Sequence, residues 1–156
     1  SGDVALIDEA LHVNDTVTAP RRYRCKSYKP GQADSNHAAQ RPKVVDVLGA
    51  QLPNTNWDII VSNPPYVPES EKAHTATHVL REPEHAIFVP GKSPLKFFTH
   101  IINYATQRLN SKGGIFLEGH APVMKTLHLL LTQAGFSDIV LRNDFRTNPR
   151  FIRAHY

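Results

Sequence analysis

The fold is decided by the stretch Trp57-Asp58-Ile59-Ile60-Val61-Ser62, which leads directly into Asn63-Pro64-Pro65-Tyr66. The first six residues form a nearly continuous apolar run, as in strands that are buried on both faces of a parallel sheet. The prolines end the strand because they have no backbone N–H with which to continue a hydrogen-bonded ladder. This stretch therefore predicts a central strand with a polar turn at its carboxyl end.

The sequence on both sides of this stretch alternates between strand and helix patterns. Apolar residues recur at helical spacing from Pro94 to Leu109 and from Pro122 to Ala134, and Pro94 is suited to the first position of a helix. The glycines in residues 110–114 predict the end of the first helix. Short strands are predicted at four places, namely residues 43–48, 115–118, 139–141 and 151–154.

This alternation predicts an α/β layered fold. Ligands of such folds bind at the carboxyl ends of the strands. Asp46, the turn from Asn63 to Tyr66, and Glu118 each follow or end a predicted strand. We therefore expect these residues along one rim of the sheet.

Length and composition fit one ordinary globular domain. The chain has 156 residues, of which 40% are hydrophobic and 21% charged, and its formal net charge is +4. No apolar run reaches the roughly 18 residues of a membrane span. The single cysteine, Cys25, excludes an intramolecular disulfide framework and a multi-cysteine zinc site. The N-terminal residues show no signal peptide, so we expect a mitochondrial or cytoplasmic protein that is not secreted.

The residues from 18 to 42 read as a long loop or insertion, because prolines and polar residues replace the apolar pattern. This segment carries a basic cluster interleaved with two tyrosines. Such clusters can bind single-stranded RNA, so RNA or the ribosome is a candidate partner. Composition alone favours the alternative, a solvated loop. The basic residues are Arg21, Arg22, Arg24, Lys26 and Lys29.

The turn after the central strand is suited to holding an amide or amino group. The side-chain oxygen of Asn63 and the carbonyl of Pro64 each accept one N–H. Pro65 stiffens the turn, and Tyr66 offers a flat face for stacking. The arrangement predicts catalysis by positioning a weakly nucleophilic nitrogen. A plain turn after a buried strand is the alternative, and we favour the functional interpretation.

Four blocks of the sequence carry a resemblance to known proteins, namely residues 58–68, 81–87, 113–118 and 143–151. In this order they resemble the HemK family of S-adenosylmethionine-dependent methyltransferases, which modify glutamine in the Gly-Gly-Gln motif of peptide-chain release factors. The resemblance covers about Lys43 to Tyr156, and the last block is similar to organellar members in particular.

The resemblance implies a fold, a reaction and a set of residues. The fold would be that of a class I methyltransferase, Rossmann-like but incomplete. Asn63 and the carbonyl of Pro64 would hold the substrate amide, Tyr66 would pack on it, and Pro65 would shape the turn. Asp46 resembles the acid that contacts the cofactor adenine, and Asn63 would also lie against S-adenosylmethionine. The release factor would be the protein substrate.

The sequence also departs from the family. None of its eight glycines forms the acid-x-Gly-x-Gly loop that follows the first strand of these enzymes, and that strand is missing too. The apolar positions in residues 4–13 fit a strand end running into a helix. Residues 8–13 also resemble the family's helix after the second strand. The ribose-binding acid would fall near Ala5, and the helical N-terminal domain is absent. The chain thus resembles one partial methyltransferase domain.

Two other functions remain open. A catalytically silent methyltransferase-like subunit of an organellar ribosome or assembly complex would explain both the missing loop and the basic segment. An adenine or guanine N-methyltransferase would share the Asn-Pro-Pro-Tyr turn, but the other three blocks disfavour it. His74 and His78 have the spacing of a metal pair without a further ligand in sight, so we expect no metal site.

Overall fold

The computed structural model shows a mixed α/β arrangement. For the first three strands only the backbone pairing is described. The structure describes residues 4–9, 23–28, 43–45, 47–48, 52–74, 87–89 and 93–156.

The described residues form strands β1 to β9, two α-helices and one 3₁₀ helix. The strands are β1 (Val4–Glu9), β2 (Tyr23–Tyr28), β3 (Lys43–Val45), β4 (Trp57–Ser62), β5 (Val67–Pro68), β6 (Phe88–Val89), β7 (Leu109–Glu118), β8 (Ser137–Asn143) and β9 (Pro149–His155). The helices are α1 (Lys96–Arg108), α2 (Ala121–Gln133) and the 3₁₀ helix Glu69–His74.

Seven strands form one sheet in the order β3-β2-β1-β4-β7-β9-β8. β4 pairs in parallel with β1 and with β7, whereas β9 is antiparallel to both β7 and β8. β2 is antiparallel to β1 and to β3. β5 and β6 form a separate parallel pair. The predicted α/β class is confirmed, and β4 has the bounds expected from the sequence.

Helices α1 and α2 cover one face of the sheet. Alternate residues of the strands point to that face, because side chains along a strand alternate between its two sides. Burial of this apolar surface is the main favourable contribution to folding. Fully buried members of the resulting core include Ile60, Ile115, Leu117 and Ile152 from the strands and Phe97, Phe98, Ile101, Leu127 and Leu131 from the helices.

A buried chain of hydrogen bonds fixes the beginning of β4. Trp57 Nε1 donates to the Tyr104 hydroxyl at 2.7 Å, and that hydroxyl donates to the Pro53 carbonyl at 2.8 Å. Both aromatic side chains are buried. Since Tyr104 belongs to α1, the helix holds the turn that leads into the central strand.

Two predicted boundaries near α1 were wrong. The helix begins at Lys96 with Leu95 as its N-cap, so Pro94 precedes the helix instead of opening it. Residues 110–114 were predicted to end the helix, but they belong to β7, and Lys112 takes a left-handed φ of 66° there. The reason is pairing with the end of the chain. The Lys112 N–H donates to the Tyr156 carbonyl, and the Tyr156 N–H donates to the Gly113 carbonyl.

The N-terminal part also differs from expectation. Asp8 and Glu9 were expected to begin a helix, yet both lie in β1, where backbone pairing with β2 overrides the local pattern. Inside the range predicted as a loop, Tyr23–Tyr28 form β2, because β1 and β3 supply ladder partners on both sides. Residues 10–13 and the rest of 18–42 lie outside the described residues. The insertion and the single partial domain stay predictions.

Among the described residues, no helix has the length and apolar character needed to cross a membrane.

Gly113 provides a test of the close approach of β7 to β4. A Cβ atom at this position would lie 2.8 Å from the Asn110 carbonyl oxygen and 3.1 Å from that of Asp58. We expect Gly113→Ala to lower the free energy of unfolding by about 1–3 kcal/mol, since backbone must move. At Gly114 the nearest atom is Cε2 of the Phe116 side chain at 3.2 Å, which can move more easily than backbone, so Gly114→Ala should cost less. Urea unfolding measures both, and equal losses would contradict this packing.

Candidate active site

The turn from Asn63 to Tyr66 lies where two parallel strands end. The register of β4 and β7 pairs Ser62 with Leu117, which places Asn63 beside Glu118 at the same edge of the sheet. These residues therefore lie on one rim, as predicted from the sequence. Asp46 lies outside the described residues, and its place on the rim stays a prediction.

Burial divides the turn into an anchored part and an accessible part. Pro64 and Pro65 are buried, Tyr66 is half-buried, and Asn63 is exposed. Val67–Pro68 then pairs with Phe88–Val89, which fixes the chain directly after the turn. The amide of Asn63 thus faces solvent on a backbone that is held on both sides.

Two residues from distant parts of the chain contact Tyr66. The His120 ring is stacked on the Tyr66 ring, with centroids 5.7 Å apart and planes within 5° of parallel. Arg150 Nη1 donates a hydrogen bond of 3.0 Å to the Tyr66 hydroxyl. His120 lies two residues after the end of β7 and is the N-cap of α2, whereas Arg150 lies in β9. Tyr66 is therefore held through both its ring and its hydroxyl.

Asp144 organises the turn between β8 and β9. Its Oδ1 accepts hydrogen bonds from the backbone N–H groups of Arg146 at 2.8 Å and Asn148 at 3.0 Å. Its Oδ2 lies 3.6 Å from Arg150 Nη2. The turn also contains Thr147 with a φ of 66°. One carboxylate thus caps the turn and holds the arginine that reaches Tyr66.

These contacts act on the charge state of Asp144. The hydrogen bond from the Asn148 backbone N–H is the largest cause that holds the pKa of this carboxyl below its ordinary value of 3.8. The Arg146 backbone N–H and the positive charge of Arg150 lower the pKa further, against an opposing contribution from partial burial. Hydrogen bonds donated to a carboxylate and a nearby cation both stabilise the charged form over the protonated form, and this lowers the pKa of the carboxyl group.

A cavity of about 390 Å³ opens beside the turn on the face of the sheet opposite the two helices. Apolar side chains from four neighbouring strands line it, namely Val61, Phe116, Val140 and Phe151. Asn63 and Glu118 stand at its rim end. Arg142 and Arg153 also line the cavity, so the space beside Asn63 is bordered by both apolar and cationic residues.

The described glycines do not supply a loop for the cofactor that the family resemblance implies. Gly113 and Gly114 lie within β7, and Gly135 follows α2. Gly119 follows β7 at the rim, but a Cβ there would already meet the side chains of Met124 and Phe98 at 3.1 and 3.3 Å. None of these glycines therefore leaves open backbone at the rim that a bound cofactor could approach closely. For this reason we derive no step through the cofactor.

Other predicted groups are only partly described. Arg24 and Lys26 of the basic cluster lie in β2, whereas Arg21, Arg22 and Lys29 lie outside the described residues. Contact with RNA stays a prediction. His78 also lies outside, and the described part of the chain contains no group of three or more residues arranged to hold a metal ion.

Sequence reasoning missed three residues of this site. Sequence patterns alone assign no role in this site to His120, and Asp144 and Arg150 enter only as members of the block at residues 143–151. The segment Asp144-Phe145-Arg146-Thr147-Asn148 does carry a signal, since Asp at the start of a turn commonly accepts backbone N–H groups two residues on. The contact of Arg150 with Tyr66 spans 84 residues, and no local pattern indicates it.

Comparison with known proteins finds relatives by sequence. No protein-family model matches the chain. A release factor glutamine methyltransferase of Bacteroides thetaiotaomicron is 31% identical over 125 residues, which cover 80% of this chain and 44% of that protein. Another, of Flavobacterium psychrophilum, is 34% identical over 112 residues, which cover 71% of this chain and 39% of that protein. The chain is related to the release factor glutamine methyltransferases.

The resemblance inferred from the four sequence blocks is thereby confirmed. The chain spans less than half the length of these two relatives. A solved structure titled as a release factor-specific protein-(glutamine-N5) methyltransferase of Alicyclobacillus acidocaldarius matches with a TM-score of 0.41 and 22% identity. That match covers 64% of this chain and 48% of the other.

The lowered pKa of Asp144 predicts acid sensitivity of the β8–β9 turn. Because the folded pKa lies below the unfolded one, the carboxylate stabilises the fold above the ordinary value of 3.8, and this contribution is lost as pH falls through the lowered pKa. Asp144→Asn should remove this share of the pH dependence. Titration of the Asp144 ¹³C carboxyl resonance, with unfolding measured at several pH values, checks both points. A carboxyl that titrates at or above its ordinary value would contradict the hydrogen-bond assignment.

Proposed function

We propose that this chain forms part of an enzyme that methylates the side-chain amide nitrogen of the glutamine in the Gly-Gly-Gln motif of peptide-chain release factors. The observation that carries the proposal is the exposed Asn63 on an anchored Pro64-Pro65-Tyr66 turn at the carboxyl edge of β4. The relationship to release factor glutamine methyltransferases supports it.

In this proposal the turn acts by positioning. Asn63 Oδ1 and the Pro64 carbonyl oxygen each accept one N–H of the substrate amide, so the –NH₂ group is held at two points. Tyr66 packs against the amide plane, and Pro65 keeps the turn rigid. Pre-oriented groups of this kind lower the barrier because the geometry of the reaction is set before it begins.

S-adenosylmethionine, the donor that the family resemblance implies, supplies the methyl group when it is bound. Asp46 and Asn63 are the residues that we propose to lie against it. The rest of its site requires a close backbone approach, which a glycine-rich loop provides in Rossmann-like folds. This sequence contains no acid-x-Gly-x-Gly pattern.

We therefore expect the 156-residue chain alone to bind S-adenosylmethionine weakly or not at all. Isothermal titration calorimetry of the isolated chain measures this directly. Micromolar binding would show that other residues replace the glycine-rich loop.

The full-length protein that contains this chain provides the test of Asn63. Asn63→Ala removes one of two acceptors and should lower methyl transfer to a Gly-Gly-Gln peptide by about 10²–10³. Asn63 is exposed, so its removal should leave the free energy of unfolding nearly unchanged. Asn54→Ala is the matched control. Asn54 is also exposed, but it precedes β4 and hence lies at the opposite end of the strand from the turn.

The outcomes separate the proposed function from its alternatives. Retained methylation in Asn63→Ala would reject the role of the turn. A wild-type protein that is inactive on release factor with S-adenosylmethionine supplied would favour the catalytically silent subunit. Methylation of adenine or guanine in nucleic acid instead of the peptide would favour the nucleic-acid enzyme.

A further inference from the structure

The turn between β8 and β9 reaches the candidate active site from the far end of the chain. β9 pairs with β7, and the Gly119 N–H donates to the Arg150 carbonyl at 2.9 Å. This hydrogen bond joins the start of β9 to the rim residue just after β7. Arg150 is consequently fixed at the rim by its backbone, independently of its side chain.

The side chain of Arg150 bridges two groups. Nη1 donates to the Tyr66 hydroxyl at 3.0 Å, and Nη2 lies 3.6 Å from Asp144 Oδ2. The guanidinium is planar, and its donors are fixed relative to one another, so a contact at one nitrogen restricts the direction of the other. Only 25% of the Arg150 side chain and 12% of the Asp144 side chain are exposed, which limits competition from water.

Asp144 is itself held in place. Two backbone N–H groups of its own turn bind Oδ1, which leaves Oδ2 directed at Arg150. The order of contacts therefore runs from the turn backbone to Asp144, then to Arg150 and finally to Tyr66. His120 stacks on the Tyr66 ring from the neighbouring strand end.

We propose that Arg150, held by Asp144, is a positioning residue that fixes the orientation of Tyr66 for methyl transfer. The inference rests on the proposed function, because it assigns Tyr66 its place beside the substrate amide. It assigns Arg150 no contact with substrate. Its action passes through the Tyr66 hydroxyl, so its effect disappears when that hydroxyl is absent.

A double-mutant cycle in the full-length protein tests this dependence. Arg150→Gln should lower kcat by about tenfold, as expected for loss of a hydrogen bond to a charged group, with little change in KM. Tyr66→Phe, which keeps the ring but removes the hydroxyl, should lower kcat similarly. The double variant should lose no more than either single variant, because both changes break one interaction.

Two conservative variants separate positioning from a general effect on the fold. Arg150→Lys keeps the charge and one donor group, and it should restore part of the kcat lost in Arg150→Gln. Arg146→Gln is the matched control from the same turn. The Arg146 guanidinium lies over the Phe145 ring, and only its backbone N–H binds Asp144. This control should leave kcat unchanged.

A spectroscopic measurement makes the test independent of activity. With ¹³C-labelled tyrosine in the full-length protein, the Tyr66 ¹³Cζ resonance is assigned from its loss in Tyr66→Phe. Arg150→Gln and Asp144→Asn should shift this resonance, and Arg146→Gln should not.

Each outcome decides the inference. Additive losses of kcat in the cycle, or an unshifted Tyr66 resonance in Arg150→Gln, would overturn it even where the wild type is active. A third outcome is that the wild type methylates no release factor while the variants show the expected shifts of the Tyr66 resonance. This result would reject the proposed function and the catalytic part of the inference. The held Tyr66 would then remain as a structural feature. A variant that fails to fold is replaced by Arg150→Lys, for which the shift and the partial kcat are both measurable.

Discussion

β4 lies between β1 and β7 in the sheet, and its parallel pairing with β7 positions the rim. This pairing sets Ser62 opposite Leu117, and therefore brings Asn63 and the Glu118–His120 segment to one edge of the sheet. The pairing is specific because a shift of either strand by one residue would turn its core side chain, Ile60 in β4 or Ile115 in β7, away from the helices. Both side chains are fully buried, so such a slip would expose a large part of the core.

The second consequence of this pairing is that three separate segments meet at Tyr66. The turn after β4 supplies Tyr66 itself, the end of β7 supplies His120, and β9, which pairs with β7, supplies Arg150. A rim built in this way is rigid without being deeply buried. The buried prolines Pro64 and Pro65 anchor the turn, and the antiparallel strand β9 positions Arg150. Asn63 stays accessible to solvent. Rigid support under an accessible polar group is the arrangement that positioning catalysis requires.

The sequence predicted those features that local patterns control. The apolar run at Trp57–Ser62 predicted β4, and helical spacing predicted both helices to within a few residues. The Asn-Pro-Pro-Tyr turn predicted the rim because prolines end strands and ligands bind at strand ends. In each case the cause of the structure lies within about fifteen residues of chain.

Features that depend on distant pairing were not predictable in the same way. Residues 110–114 contain two glycines and resemble a helix end, but hydrogen bonds with Tyr156 draw them into β7. Tyr23–Tyr28 resemble a polar loop, but they form a strand because their backbone pairs with β1 and β3. The contact between Arg150 and Tyr66 follows only from the register of β9 on β7, which local composition does not encode.

The proposed function requires the rim turn to hold the amide of a glutamine side chain. The most direct test is a crystal structure of the full-length protein bound to a Gly-Gly-Gln peptide and S-adenosylhomocysteine. The glutamine amide nitrogen should lie within hydrogen-bonding distance of both Asn63 Oδ1 and the Pro64 carbonyl oxygen, with the amide plane against the Tyr66 ring. A peptide bound with its glutamine amide away from these two oxygens would reject the proposed role of the turn.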